Sequence, residues 1–215
     1  MLPIILSDEP EEFNEKVRKK GKNYLKRVKN PTTKQWKTHS YWLNVKNDLR
    51  DAFKSVCAYS CHWVSDDTGW ATCDHYIDKF SEPNLAYEWT NYRFVCGVLN
   101  GRKKNESIID PVNMMAGTFI IDFPSLLVKP SDSLEESEYK HAISTINILG
   151  LNSESTCLKS RFTHLMEYSN NCINDDYLSR HAPFIFSELT RQHLLTSIKS
   201  IMLMGQVEPP HCSSQ

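Results

Sequence analysis

Asp74 and His75 stand side by side in the chain. Asn91 follows, then Asn100 and a basic run of Arg102, Lys103 and Lys104, with Lys79 close behind the Asp-His pair. These residue types suit phosphodiester hydrolysis, which needs an activated water and stabilisation of charge on the phosphate and on the departing oxygen. The Asp74 carboxylate and the Asn100 amide oxygen are hard ligands for Mg²⁺ or Mn²⁺. An imidazole titrates near neutrality, which fits His75 as the general base. Asn91 can fix the loop or the imidazole by hydrogen bonding. Lys79, Arg102, Lys103 and Lys104 are expected to meet phosphate oxygens.

The elements that must hold these groups can be sketched from periodicity. Residues 1–12 read as an extended entry marked by Pro3 and Pro10. The spacing of Phe13, Val17, Tyr24, Leu25 and Val28 predicts an amphipathic basic helix ending near Asn30-Pro31, and Trp36, Trp42, Leu43, Val45, Leu49 and Phe53 predict a second helix. From Cys57 to Lys79 the pattern is strand-like, with SDDTG as a hairpin turn in which Gly69 takes any positive φ, and with Cys73-Asp74-His75 ending the second arm. Adjacent strand residues face opposite ways, so Asp74 and His75 do not compete for one atom. The run from Leu85 to Val98 predicts a loop and then the helix that carries Asn100.

Further on, residues 108–128 read as strands, and the acidic SDSLEESE stretch reads as a loop or helix start with Ser131 or Ser133 as its N-cap. Helices are expected over 142–151, 155–168 and 187–204, with a frayed EPPHCSSQ tail. The expected fold class is therefore α+β, mainly helical around a small central sheet.

The 215-residue length allows a sizeable core, and a 40% hydrophobic and 24% charged composition is ordinary globular usage. No apolar run is long enough to span a bilayer, and MLPIIL leads at once into SDEPEE, so a cytoplasmic protein without membrane association is expected. Net charge is only -1, yet residues 16–50 carry twelve Lys and Arg against the single acid Asp48, a segment suited to nucleic acid or an acidic partner.

Beyond the central residues, PEEFNEKVRKKGKNYL, CAYS, DHYIDKF, LAYEWTNYR, LNGRKK, IIDP, FIIDFPSLLVKP and TINILGLN fall within the stretch from Pro10 to Tyr168. In these motifs the chain resembles the HNH (ββα-metal, His-Me finger) endonuclease superfamily, and within it the nuclease subunit of Septu-type antiphage systems, some of which accompany retrons. The resemblance implies a ββα-metal nuclease core over residues 56–130, between a basic helical region at 1–55 and a helical region at 131–215, all in one compact unit. It also implies that His75 activates water, Asp74 and Asn100 bind the metal and Asn91 is the middle residue of the motif. The implied partners are the nucleic acid substrate, DNA or RNA including tRNA, an ATPase subunit, and in some systems a retron reverse transcriptase with its nucleic acid. The helices at 155–168 and 187–204 are the candidate partner contacts.

Many members frame the centre with two CxxC pairs around a structural zinc. Ser60 and Leu99 occupy two of those four places here, so free buried thiols are expected instead, with Cys57, Cys61, Cys73 and Cys96 the thiolates that could still gather. The competing reading, from a different class, is a catalytically silent nucleic-acid-binding or scaffold subunit. The two differ in whether Asp74, His75 and Asn100 converge on one cation-sized space.

Overall fold

The computed structural model describes residues 1–204, so the expected tail at 208–215 lies outside the described residues. The fold is α+β, about half helical with two small antiparallel sheets. Residues 1–10 are extended, as Pro3 and Pro10 dictate, but they are tied down: Ile4 N–H donates to the Pro111 carbonyl at 2.8 Å and Leu2 N–H to Cys61 Sγ at 3.3 Å. A π-helical turn, Asn14–Arg18, then runs into α1 (Lys19–Arg27), which buries Tyr24 and Leu25 and turns its lysines outward.

The single helix expected around the tryptophans is three short pieces, α2 (Thr33–Thr38), a 3₁₀ turn (Tyr41–Val45) and α3 (Lys46–Ala52). Local side chains cause the break. Thr32 and Gln35 close a capping box at the start of α2, while Thr38 and Ser40 hydroxyls take the carbonyls of Gln35 and Lys37 at its end. Trp36 and Trp42 are buried despite the interruption.

The first sheet differs from the expected hairpin. β1 (Ala71–His75) pairs with β2 (Tyr92–Cys96), with Asp74 opposite Arg93 and His75 opposite Tyr92, whereas residues near Cys57 contribute only one bridge, Val56 to Trp63. β2 falls where the sequence suggests loop and helix. Its YRFV run is buried on both faces, so it lacks the alternation that marks a half-buried strand. Gly69 does not take a positive φ; it is needed for space, since a Cβ there would lie 2.3 Å from the Ser65 carbonyl oxygen.

α4 (Gly97–Lys103) follows β2 without a loop and packs on both strands, giving a strand–strand–helix unit with Asn100 on the expected helix. β3 (Phe119–Asp122) and β4 (Leu127–Pro130) form the second sheet, and α5 (Glu136–Leu149) begins at Glu135, because the Ser131 and Ser133 hydroxyls bond each other instead of capping it. Gly150 ends α5 in the left-handed conformation, at φ 61°.

A second π-helical turn, Glu154–Leu158, leads into α6 (Lys159–Ser169). α7 (Asp175–His181) forms where no helix is expected, and the last expected helix, 187–204, is divided between the end of α8 (Pro183–Arg191) and α9 (Ser197–Met204), with His193 at φ 56° between them. Among the described residues, no helix is long and apolar enough to cross a membrane.

A single apolar cluster runs from Met1 to Ile198, with Trp36, Tyr59, Tyr87, Tyr92 and Phe94 among its largest members. Among the aromatics of the central segment, Trp89, Tyr92 and Phe94 are buried, whereas Trp63, Trp70 and Phe80 are 40%, 68% and 52% exposed. Gly21 of α1 packs on the Tyr87 ring, where an added Cβ would sit 2.1 Å from ring carbons. The ring lies among Trp36, Tyr41 and Trp42 and its hydroxyl donates to the His39 carbonyl at 2.8 Å, so it has nowhere to retreat. Gly21→Ala is therefore expected to lower stability by about 1–3 kcal/mol in urea denaturation, although alanine alone favours a helix over glycine.

Candidate functional site

A cavity of about 420 Å³ opens beside β1, lined by Cys73, Asp74, His75, Asp78, Lys79, Phe80, Asn100, Lys104 and Asn105. β1 has a partner on one side only, so its other edge is free to form a wall. The consecutive residues Cys73, Asp74 and His75 at the end of β1 all line the cavity.

Asp74 is buried and doubly held. The Tyr59 hydroxyl donates to its Oδ2 at 2.5 Å, and the Lys103 ammonium lies 3.4 Å from Oδ1 and 3.2 Å from Oδ2. Burial and the Asp74 charge push the Tyr59 phenol well above its ordinary pKa, which keeps it a donor. Lys103 also donates to the His75 carbonyl at 3.1 Å. A carboxylate has about four lone-pair sites, so Asp74 retains ligating capacity after these contacts.

His75 is 6% exposed, with Trp42 and Tyr92 set edge-on to its ring at 4.6 and 5.3 Å. Its Nε2 meets the Ala86 carbonyl at 3.0 Å, and that carbonyl also accepts the Tyr92 hydroxyl at 2.8 Å. A carbonyl can only accept, so Nε2 carries the proton and Nδ1 keeps its lone pair. Burial and the Lys79 ammonium push the pKa down to about 3, against the raising effect of the Ala86 contact. The imidazole is neutral at physiological pH.

Asn100 donates through Nδ2 to Thr72 Oγ at 2.9 Å, and Thr72 passes its own proton to the Val95 carbonyl at 2.8 Å. This relay orients the amide and leaves Oδ1 as its free acceptor. Asp74 and Asn100 thus present a carboxylate and an amide oxygen to one cavity, a donor set that suits a hard divalent cation completed by water and phosphate.

The other expected residues are placed differently. Asn91 does not touch the imidazole: its Oδ1 accepts Ile77 N–H at 2.8 Å while Nδ2 donates to the Ile77 and Leu85 carbonyls at 2.9 and 3.2 Å, clipping together the loop between β1 and β2. Arg102 points away to the Leu149 and Gly150 carbonyls at 3.1 and 3.2 Å, and Lys103 is sealed against Asp74. Of the basic cluster only Lys104 lines the cavity, together with Lys79. The four thiols do not gather as one set: the Cys57 and Cys96 thiols hydrogen-bond to each other and Cys57 Sγ accepts the Cys96 N–H at 3.4 Å, whereas Cys61 meets Leu2 N–H and Cys73 lines the cavity. Among the described residues, no three His, Cys, Asp or Glu side chains group as a metal site.

Tyr59, Thr72 and the Ala86 carbonyl complete the site and carry no sequence signal tying them to it. Lys103 does carry one, for it lies three residues after Asn100 and so on the same helix face. No protein-family model matches the chain, and no curated protein matches it.

A histidine held neutral by burial makes stability pH-dependent. With its folded pKa below the unfolded value near 6.5, His75 adds stability that is complete above that value and is lost as pH falls toward 3. The wild type should lose about 2 kcal/mol more than His75→Ala between about pH 6.5 and about pH 4.5, read from urea midpoints.

Proposed function

We propose that the chain is a metal-dependent HNH endonuclease, with β1, β2 and α4 as its ββα-metal unit, acting on nucleic acid as the effector of an antiphage system. The observation that carries this reading is the convergence on one open cavity of Asp74 and Asn100 oxygens with a neutral His75 whose Nδ1 lone pair is free.

Asp74 and Asn100 would hold Mg²⁺ or Mn²⁺. Bound there, such a cation supplies positive charge to phosphate oxygens and to the departing oxygen. His75 accepts the proton of water at Nδ1, while Nε2 stays anchored on Ala86, so the ring presents one face and one tautomer. Its low pKa makes it a weak base on its own. A phosphodiester beside Lys79 and Lys104 offsets the positive charge that Lys79 places on the ring, which raises its basicity when it is needed. Asn91 is a positioning residue, fixing the loop that carries Ala86.

The sequence resemblance supplies the biological setting: an ATPase partner of the Septu type that restrains or releases the nuclease, in some systems alongside a retron. The helices α6 and α8 to α9 are the proposed contacts. Expression with its neighbouring genes, triggering, and sequencing of the cleaved nucleic acids should show cuts that vanish in His75→Ala while the complex still assembles; cuts that persist sink the role of His75.

The placement of the basic residues separates phosphate contacts from structural ones. Lys79→Ala and Lys104→Ala should each weaken nucleic-acid binding and reduce the log–log salt slope by about 1. Arg102→Ala should leave that slope unchanged and lower stability by about 1–3 kcal/mol through its lost carbonyl contacts.

A further inference from the structure

Among the described residues, Lys103 is one of the most deeply buried side chains, with 1% of its side chain exposed, and the one carboxylate its ammonium contacts is that of Asp74. A flexible, strongly hydrated ammonium is costly to bury, and here it is spent on the residue assigned to hold a cation. The neighbourhood does not compensate. Asp74 and Asp78 face Lys79, Lys103 and Lys104, two negative charges against three positive, while Asn100 and Asn105 add none. A divalent cation entering this space alone meets an excess of positive charge, and part of the Asp74 charge is already taken.

We propose that Lys103 makes metal loading conditional on nucleic acid: it orients and neutralises Asp74, so that the cation binds tightly only when a phosphodiester brings the missing negative charge. The inference rests on the reading of Asp74 and Asn100 as metal ligands. Electrostatics gives it a direction that a purely structural lysine would not have. A lysine that merely holds Asp74 in place improves cation binding, and its loss weakens binding; a lysine that competes with the cation depresses binding, and its loss strengthens it.

The test uses the full chain in a His75→Ala background, which keeps nucleic acid intact, with Mn²⁺ monitored by the paramagnetic resonance of the free ion. Short mixed-sequence DNA and RNA strands are added in parallel, and the same strands without protein give the blank for Mn²⁺ held by nucleic acid alone. Adding a strand should tighten Mn²⁺ binding about ten-fold or more, and Lys103→Met without nucleic acid should bind Mn²⁺ about ten-fold tighter than its parent, with a correspondingly smaller effect of the strand.

Lys103→Met that folds and binds Mn²⁺ equally or more weakly overturns the proposal. If that variant does not fold, the parent decides, and equal affinity with and without either strand overturns it. Mn²⁺ binding that survives Asp74→Asn, or no binding even with nucleic acid, removes the metal reading itself. Binding that needs Asp74 but ignores both the strand and Lys103 removes only this inference.

Discussion

The pairing of a buried ammonium with a buried carboxylate, Lys103 with Asp74, is the constraint around which the centre is arranged. Each ion has been taken out of water at a cost of several kcal/mol, and removing either partner typically costs about 3–5 kcal/mol because the other is left uncompensated. Tyr59 makes the arrangement three-sided, bringing the segment before β1 to the same carboxylate. Parts of the chain distant in sequence therefore meet at one point: the Cys57–Cys61 turn, β1 and α4. A second buried pair, Arg93 with Asp110, fastens β2 to the segment before β3 through bonds of 2.8 and 2.5 Å. These contacts join segments distant in sequence by charge and packing.

The loop between β1 and β2 shows how backbone polarity is turned to the same end. Asn91 satisfies groups of Ile77 and Leu85, and the nearby Ala86 carbonyl takes donors from both His75 and Tyr92. Buried backbone groups must be paired, so the loop can hold its shape only while these side chains are present. The cost of ordering the loop and the cost of orienting the imidazole are met by the same few bonds.

How much of this is legible in the sequence depends on which signals are local. The α+β class, the helix carrying Asn100 and the juxtaposition of Asp74, His75 and Asn100 can be read from residue types and spacing. β2 cannot, because a strand buried on both faces shows no alternation. The basic run misleads for a geometric reason. Arg102 and Lys103 are turned roughly 100° apart on α4 and Lys104 leaves the helix at φ 49°, so the three do not share one surface, and they go to the α5 terminus, to Asp74 and to the cavity. Exposed Trp63, Trp70 and Phe80 mark the other limit, since aromatic type alone does not say whether a side chain is covered.

Arg102 ties the site to the far half of the chain. Its guanidinium grips the carbonyls at the end of α5, and Gly150 lets it come close, because any Cβ there would stand 2.5 Å from the guanidinium nitrogen. α4 is short and enters directly from β2, so it is clamped at both ends, by a strand at one and by the C-terminal half of the chain at the other. It has no slack. A force that shifts α5 is delivered through a rigid strut to the helix that carries Asn100 and Lys103, and the spacing of those two side chains from Asp74 is set as much by the helices after residue 130 as by the sheet beneath them.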